Sequence, residues 1–332
     1  MQVVTSRRSH AGGAQLSVTK IDDMRLAYLI ITHKNLEQFK RLFRATYARD
    51  NLYVVHVDIK SEPEYHRGVS EFVASYPNAR IMQSGNCRWG GYSMVDIELK
   101  AIQQMIEWDS DWSFFVNLSG QDFPLKTQDN IKSFLKGRED KNFITVFDDE
   151  FISRWVNPYP LFRPRAISPN HLNARTRVER YYWEIPHSRR ILYLPLIKRD
   201  FITGATWYAG WQWCLLNRDF CEYICHACEV KKYVRFFRHS FIPDESFFQT
   251  VIMNSEYRDT VVNDHLRTII MLPNGVKIFR ERDYDLLVSS GGLFARKFDE
   301  TVDPFIISRL EQRVSATESA LQYSRHGETV PI

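Results

Sequence analysis

An acidic pair, Asp244 and Glu245, follows a proline at the start of the segment Ile-Pro-Asp-Glu-Ser-Phe-Phe-Gln-Thr-Val-Ile-Met-Asn-Ser over 242–255. Four apolar residues recur in it at helical spacing: Phe247, Phe248, Val251 and Ile252. This spacing predicts an amphipathic helix anchored to a core. A carboxylate held on such an element can remove a proton as a general base. The same pair also suits a helix cap, because acidic side chains are favourable in a first helical turn.

A cationic pair, Arg296 and Lys297, lies in the segment Gly-Gly-Leu-Phe-Ala-Arg-Lys-Phe over 291–298. Arginine offers a planar fork and lysine a compact point charge, and both groups bind phosphate oxygens well. Where no metal neutralises a diphosphate leaving group, cationic side chains have to do so. A solvated basic pair is the alternative explanation of the same residues.

Three acidic clusters are candidates for a metal site: residues 109–111, 148–150 and 283–285. An Asp-x-Asp metal site belongs at the end of a strand, whereas the first cluster lies between a helix and the start of a strand. The third cluster lies among arginines and is expected to form local ion pairs. Residues 148–150 follow a predicted strand and remain the one fair candidate. We expect no metal cofactor.

Four of the five cysteines fall close together: Cys214, Cys221, Cys225 and Cys228. With His226 among them, they raise the possibility of a zinc site, but the sequence has no second ligand pair at zinc-finger spacing. The last three follow helical spacing, and free cysteine packs as a small apolar side chain. We expect reduced thiols on a helix face in a reducing compartment.

The composition is that of a soluble globular protein, with 44% hydrophobic and 25% charged residues and a net charge of +4. No basic run with interleaved aromatics occurs, so a nucleic-acid partner is not expected. The sequence contains no apolar stretch long enough to span a bilayer. Residues 1–23 lack the apolar core of a signal peptide and are expected to form a disordered leader. The expected location is the cytoplasm.

Strand and helix patterns alternate between residues 24 and 147. Strands are predicted at 25–32, 52–57, 80–83, 113–118 and 142–147, and helices at 36–47, 64–76, 94–108 and 130–136. This alternation predicts an α/β fold with a mainly parallel, Rossmann-like sheet flanked by helices. The sequence has neither a Gly-x-Gly-x-x-Gly after the first strand nor a P-loop motif, which disfavours a dehydrogenase or a P-loop enzyme.

Ligands of such sheets bind at the carboxyl ends of the strands. The candidates there are residues 32–34, 56–58 and the loop 119–124. A single domain is expected over 24–315, with a nucleotide-binding half (24–147), an acceptor and catalytic half (148–315) and a flexible tail (316–332). The proline-rich stretch 150–200 has little periodicity, which is typical of an irregular acceptor-side region.

Short motifs in a fixed order carry a family resemblance. They are Ala-Tyr-Leu-Ile (27–30) with His33-Lys34, Tyr53 with His56-Val57-Asp58, Trp89-Gly90-Gly91, Asn-Leu-Ser-Gly-Gln-Asp-Phe-Pro-Leu-Lys-Thr (117–127), Gly-Ala-Thr-Trp (204–207), Pro-Asp-Glu-Ser-Phe-Phe-Gln-Thr-Val (243–251) and Phe-Ala-Arg-Lys-Phe (294–298). From Met24 to Arg313 the chain resembles the core-2/I-branching β-1,6-N-acetylglucosaminyltransferase and peptide O-xylosyltransferase family, glycosyltransferase family 14. Its Glu-Ser-Phe-Phe and Phe-Ala-Arg-Lys-Phe motifs are closer to the xylosyltransferase branch.

The resemblance implies a GT-A-like fold and an inverting transfer from a UDP-sugar, with basic residues in place of a metal. Glu245 falls on the catalytic base of the family. Lys297, with Arg296, falls on the diphosphate-binding position. Val57 and Asp58 fall on the stretch that meets the uridine.

Other positions match the family less closely. Asp122 falls near the donor sugar, and Trp207 and Asp244 fall on the acceptor side. The second basic residue that holds the diphosphate in branching enzymes has no clean counterpart, although Arg280 or Arg282 could replace it. Secretory members carry a membrane anchor and disulfides, so we expect a soluble member of bacterial type.

The expected partners are a UDP-sugar donor and a glycan or lipid-linked glycan acceptor in surface polysaccharide synthesis. The donor sugar stays open between N-acetylglucosamine and xylose. A peripheral contact with the inner membrane face, through basic loops such as Arg175–Arg190, is a further expectation. The alternatives are a catalytically silent nucleotide- or carbohydrate-binding protein and, less favoured, a hydrolase, which would need a second, separated carboxylate.

Overall fold

The computed structural model describes residues 24–88, 90–147, 201–240, 242–272 and 275–326, with side chains as far as Ser315. The predicted leader, the acidic cluster 148–150, the basic loop 175–190 and Trp89 lie outside these ranges. The division into domains stays a prediction.

Twelve strands are present in the described ranges: β1 Leu26–Thr32, β2 Leu52–Val57, β3 Ala79–Ile81, β4 Phe114–Ser119, β5 Asp122–Pro124, β6 Asn142–Ile144, β7 Cys214–Asn217, β8 Val261–Val262, β9 Arg267–Ile269, β10 Met271–Leu272, β11 Gly275–Val276 and β12 Phe294–Arg296. Nine α-helices accompany them there: α1 Leu36–Thr46, α2 Pro63–Val73, α3 Ser93–Trp108, α4 Gln128–Leu135, α5 Arg218–His226, α6 Val230–Phe237, α7 Phe247–Met253, α8 Tyr284–Ser289 and α9 Phe305–His326.

The main sheet has seven strands in the order β3-β2-β1-β4-β7-β6-β8. Strands β3, β2, β1 and β4 are parallel to one another, and β7 runs antiparallel to both of its neighbours. The central strands are apolar along almost their whole length because both faces of the sheet are covered. The predicted α/β class with a mainly parallel sheet is confirmed.

Helices pack on both faces of this sheet, as predicted. Helices α1, α2, α4 and α9 contribute to one core, and α3, α5, α6 and α7 contribute to the other. The alternating side chains of β1 show the division, since Tyr28 and Ile30 enter the first core while Ala27 and Leu29 enter the second. The sheet is thus a rigid platform whose strand ends can hold a site in place.

A small sheet, β5-β12-β9, carries the cationic pair. Strand β12 pairs antiparallel with β5, which sets Arg296 opposite Asp122, and parallel with β9, which sets Arg296 opposite Ile269. Because β5 follows directly from β4, this pairing brings the C-terminal cations to the end of the main sheet.

Several predicted boundaries were wrong. Strand β6 ends at Ile144 rather than at Phe147, because the Phe147 N–H turns to the Ala209 carbonyl at 2.8 Å. The acidic pair lies on a 3₁₀ turn, Pro243–Glu245, and α7 begins only at Phe247. Helix α9 runs to His326, and the flexible tail expected from residue 316 stays a prediction.

All five cysteines are free. Cys221 and Cys225 lie on α5, as predicted, whereas Cys228 is exposed in the turn beyond the end of that helix. No helix in the described ranges is long and apolar enough to cross a membrane.

Candidate functional site

The carboxyl ends of β1, β2 and β4 meet at one edge of the sheet. The Asp58 N–H donates to the Thr32 carbonyl at 3.0 Å, and the Gly120 N–H donates to the Ile31 carbonyl at 2.9 Å. A Cβ atom on Gly120 would lie 2.6 Å from Thr32 Oγ1. The loop 119–124 can therefore pass this close to the end of β1 only with glycine at position 120. The three candidate strand ends are therefore close together, as predicted.

At the end of β2, both Val57 and Asp58 are buried. The Asp58 carboxylate accepts a hydrogen bond from the Lys60 backbone N–H at 3.0 Å and pairs with Lys60 Nζ at 3.3 Å. Its side chain is thereby held in one orientation at the mouth of the sheet. The uridine contact assigned to this stretch stays a prediction.

Arg296 is held on two sides. Its Nη1 donates to Asp122 Oδ1 at 2.8 Å and to Ser119 Oγ at 2.9 Å. Its Cζ lies 4.1 Å from the centroid of the Trp213 ring, in cation–π contact. Asp122 is fully buried, and its other oxygen accepts from the Ser119 N–H at 2.8 Å. The structure thus places Asp122 as the buried counter-ion of Arg296, and its predicted contact with the donor sugar stays a prediction.

Lys297, the next residue, forms no ion pair with any residue that the structure describes. Burial lowers its pKa, and the charges of Arg296 and then Lys34 lower it further. Lys34 itself pairs with Asp299 at 2.7 Å. The charges of Asp299 and Asp122 act in the opposite direction, but each of these carboxylates pairs with another cation. A cation that forms no ion pair of its own is a favourable place for a bound anion.

The charged residues at this edge of the sheet also act on His33, which follows β1. Burial lowers the pKa of His33, as do the charges of Lys34, Lys297 and Lys60, while the charge of Asp58 raises it. Two predicted donor-binding residues, Asp58 and Lys297, therefore belong to one electrostatic cluster at the end of the sheet.

The acidic turn lies on the other side of the site. Burial raises the pKa of Asp244 to about 6, and burial followed by the charge of Asp244 raises the pKa of Glu245 to about 7. Asp244 Oδ1 is buried and has no hydrogen-bond partner in the described ranges. A carboxyl with a pKa near neutrality has the property that general-base catalysis requires.

A segment outside the helices and strands, residues 206–213, lies along α7 and contacts the acidic turn. The Tyr208 N–H donates to Thr250 Oγ1 at 3.1 Å, and Gln249 Nε2 donates to the Trp211 carbonyl at 2.7 Å. The Gly210 N–H donates to the Glu245 carbonyl at 2.8 Å. The segment is thus fixed by side chains of α7 and by the backbone of the base candidate.

This segment also reaches the cationic pair. Trp213, on which Arg296 stacks, is three residues beyond Gly210, so their Cα atoms are at most about 11 Å apart. One short stretch of chain therefore contacts Glu245 at one end and Arg296 at the other. This arrangement links the backbone of the base candidate to the side chain of a phosphate-binding candidate through four consecutive residues.

Trp207 lies in an aromatic cluster rather than alone at the surface. Its ring is 4.9 Å from that of Phe237 and 5.5 Å from that of Phe201, measured between centroids. The residue is half-buried, and its ring nitrogen is buried. The acceptor contacts assigned to Trp207 and Asp244 stay predictions.

Sequence reasoning missed a buried polar network beneath the site, formed by Glu98, Asn117, Gln212 and Arg267. Asn117 Nδ2 donates to Glu98 Oε1 at 3.0 Å, and Asn117 Oδ1 accepts from the Cys214 N–H at 3.0 Å. One signal was present in the sequence. Glu98 occupies a position on the apolar face of α3, where a charged residue is unusual.

Across residues 24–147 and 201–315, apart from the few left undescribed, no three His, Cys, Asp or Glu side chains are arranged to hold a metal ion. Asp109 pairs with Arg25 at 2.9 Å, and Asp283 pairs with Lys277 at 2.7 Å. The ion pair of Asp283 is local, as expected for the third cluster, whereas that of Asp109 joins residues far apart in the sequence. Metal independence itself stays a prediction.

Comparison with known proteins supplies the family. The model of the Core-2/I-Branching enzyme family matches residues 26–271. Xylosyltransferase 1 of Rattus norvegicus is 29% identical over 311 residues, which cover 87% of this chain and 35% of that protein. The N-acetyllactosaminide beta-1,6-N-acetylglucosaminyl-transferase of Mus musculus is 27% identical over 329 residues, which cover 92% of this chain and 76% of that protein.

A solved structure, Core-mannan synthase A (CmsA/Ktr4) from Aspergillus fumigatus, matches 71% of each chain with 10% identity and a TM-score of 0.32. The chain spans about a third of the length of the xylosyltransferases that it matches. The candidate site combines an α/β sheet, a base candidate on the turn Pro243–Glu245 and a cationic pair at the end of β12. The chain belongs to the Core-2/I-branching enzyme family, glycosyltransferase family 14, as its motifs indicated.

Proposed function

We propose that the chain is an inverting glycosyltransferase, which moves a sugar from a UDP-sugar to a hydroxyl group of a glycan acceptor. The observation that carries this proposal is the segment from Gly210 to Trp213, which contacts Glu245 at one end and Arg296 at the other. A transfer reaction needs a base for the acceptor and a cation for the leaving group at the same reacting centre. Membership of the family supports the same reaction class.

Glu245 is the proposed general base. Its ionised carboxylate removes the proton of the acceptor hydroxyl while that oxygen attacks the anomeric carbon from the face opposite UDP. The bond between the anomeric carbon and the diphosphate oxygen breaks in the same displacement, and the bonding electrons leave with UDP. The configuration at the anomeric carbon inverts.

Lys297 is the proposed ligand of the departing diphosphate, with Arg296 beside it. Lys297 forms no ion pair in the described part of the chain, whereas Arg296 is fixed by Asp122 and Trp213. Arg296 would thus act mainly by its charge, and Lys297 by direct contact with the phosphate oxygens. Under this proposal the cations supply the charge stabilisation, and no metal is required.

A single carboxylate suffices for this reaction. Glycoside hydrolases use two carboxyl groups that flank the scissile bond, separated by at least about 5 Å. Asp244 and Glu245 are adjacent on one turn, so they are poorly placed to flank a bond. The proposed role of Asp244 is instead on the acceptor side, where its charge also acts on Glu245.

The proposed donors are UDP-N-acetylglucosamine and UDP-xylose, because the chain is similar both to N-acetylglucosaminyl- and to xylosyltransferases. The proposed acceptor is a glycan or lipid-linked glycan of a bacterial surface polysaccharide. Transfer would take place in the cytoplasm, with peripheral contact at the inner membrane face. A donor screen with both sugars, each paired with candidate acceptors, ranks these options.

The variant Glu245→Gln tests the proposed base, since it keeps the size and polarity of the side chain. We expect it to fold and to bind UDP as the wild type does, while kcat for transfer falls by about 10²–10⁴-fold. Glu256→Gln, an exposed glutamate eleven positions further on, is the matched control. A fully active Glu245→Gln variant would overturn the proposed mechanism. Wild type that binds UDP yet transfers no sugar would favour the silent binding protein.

A further inference from the structure

Glu98 lies on the inner face of α3 and has no exposed surface. Its Oε1 accepts a hydrogen bond from Asn117 Nδ2 at 3.0 Å and another from Gln212 Nε2 at 3.3 Å. Its second oxygen, Oε2, is buried and has no hydrogen-bond partner among the residues that the structure describes. Glu98 forms no ion pair within the same residues either.

This one-sided pattern costs a carboxylate more than it costs a neutral carboxylic acid. Such a group has a carbonyl oxygen, which accepts hydrogen bonds, and a hydroxyl, which donates one. The two amide donors occupy a single oxygen, as they would occupy the carbonyl of the acid, while a hydroxyl at Oε2 has no acceptor among the described residues. A carboxylate would instead leave a charged oxygen buried with neither a donor nor a counter-ion, which is costly.

Four titratable or charged groups act on Glu98 or respond to it: Asp244, Arg267, Cys214 and Cys87. Burial is the main cause that raises the pKa of Glu98 to about 8. The hydrogen bonds from Asn117 and Gln212 lower the pKa, as does the charge of Arg267, whereas the charge of Asp244 raises it. The acidic neighbour thus adds to the effect of burial.

Glu98 lies near both halves of the proposed site. Helix α3 contacts the acidic turn Pro243–Glu245, and the Ile242 N–H donates to the Gly90 carbonyl just before α3. On its other side Glu98 binds the side chain of Gln212, the residue before Trp213. Asn117 reinforces this contact by donating to the Gln212 carbonyl at 3.0 Å.

We propose that Glu98 is a positioning residue of the transfer site that keeps its proton. The acidic turn then stays beside an uncharged group. The hydrogen bond of Glu98 to Gln212 also holds Gln212 and the adjacent Trp213 in place. The inference rests on the proposed function, since the groups that Glu98 positions are Glu245 and, through Trp213, Arg296. A third negative charge beside Asp244 and Glu245 would repel the turn and make both carboxyls harder to ionise.

The variant Glu98→Gln imitates the protonated acid, because its amide keeps the accepting oxygen and places N–H donors where the hydroxyl would be. We expect kcat/KM of Glu98→Gln near pH 7 to stay within about threefold of wild type. In wild type, ionisation of Glu98 should lower kcat/KM above about pH 8. In Glu98→Gln this decrease should weaken or disappear. Glu107→Gln, an exposed glutamate on the same helix, is the control and should leave the profile unchanged. A loss of tenfold or more at pH 7 in Glu98→Gln would overturn the inference.

Melting temperature supplies a readout that is independent of activity. The folded-state pKa of Glu98 lies above its ordinary value, so wild type loses stability as pH rises from about 4.5 to about 8. The permanently neutral variant does not undergo this loss. Its melting temperature relative to wild type should therefore increase between about pH 5 and pH 9.

The outcomes can be told apart. A melting difference that stays flat or decreases with pH, in an enzyme that transfers sugar, would overturn the inference about Glu98 alone. Wild type that transfers no sugar at any pH would overturn the proposed function, and the positioning role would fall with it.

Discussion

The Arg296 guanidinium stacks on the Trp213 ring, with 4.1 Å between Cζ and the ring centroid. Trp213 ends the short segment 206–213, whose Gly210 N–H donates to the Glu245 carbonyl at 2.8 Å. The position of the proposed phosphate-binding cation therefore depends on the same stretch of chain that contacts the proposed base. A change at either end of this stretch should affect both halves of the proposed reaction.

The first prediction concerns the buried pair of Asp122 and Arg296. Replacing Asp122 by Asn leaves the Arg296 charge without its counter-ion, and losing one partner of a buried pair costs about 3–5 kcal/mol. We expect Asp122→Asn to lower the free energy of unfolding by about 3 kcal/mol in urea denaturation. Asp259→Asn, at an exposed aspartate, should change it little. An unchanged unfolding midpoint in Asp122→Asn would contradict the prediction.

The second prediction concerns the acidic limb of the pH profile. Glu245 must be ionised to act as a base, and its pKa is raised to about 7, so kcat should rise with pH through about pH 7. The charge of Asp244 is the second cause of this shift, after burial. Asp244→Asn removes that charge and should move the acidic limb to lower pH. A limb that stays in place or moves upward would show that Asp244 does not act on the base.

Much of the fold was predictable because its signals are local. The runs of β1 and β2 are apolar along almost their whole length, since both faces of each strand are buried. The amphipathic periods of α1 and α3 mark the helices that follow β1 and β3. Parallel order then places their carboxyl ends at one edge. The acidic and cationic pairs were also identifiable, because short motifs carried them.

The rest depends on contacts between distant parts of the chain. Arg296 was predicted to bind diphosphate, yet its pairing with Asp122 joins residues 174 positions apart in the sequence. The antiparallel match of β5 and β12 creates this contact, and no local pattern encodes it. Glu98 likewise looked like one polar residue on an apolar helix face. Its role depends on Asn117 and Gln212, which lie on other elements.

The third prediction concerns anion binding at Lys297. UDP and the UDP-sugars should raise the melting temperature of the wild type, and EDTA should leave this effect unchanged if no metal takes part. Lys297→Ala should weaken UDP binding by about tenfold or more, because hydrogen bonds to charged groups contribute about 1.5–3 kcal/mol. Lys231→Ala, at an exposed lysine on α6, is the matched control.

Each alternative result of that screen has a distinct meaning. Stabilisation that disappears with EDTA would indicate a metal site, for which the acidic cluster 148–150 is the candidate. No response to any uridine nucleotide, with GDP-mannose as the comparison, would contradict the proposed donor class. Equal binding by Lys297→Ala and wild type would remove Lys297 from the diphosphate site.

The last prediction concerns Gly210, where the segment passes closest to its neighbours. A Cβ atom there would lie 1.7 Å from the Thr145 carbonyl oxygen, so the backbone would have to move. We expect Gly210→Ala to lower the free energy of unfolding by about 3 kcal/mol, the upper end for an overpacked core. Because the displaced segment contacts both Glu245 and, through Trp213, Arg296, kcat and UDP affinity should fall together.

The matched control is Gly137→Ala. Gly137 has a positive φ of 75°, but a Cβ atom there would have no neighbouring atom within 4 Å, so alanine adds backbone strain without a steric clash. That strain should cost only about 1 kcal/mol, and it should leave both kcat and UDP affinity near the wild-type values. If Gly210→Ala lowered kcat but left UDP affinity unchanged, the segment would position the base alone. The coupling between base and cation would then have to be abandoned.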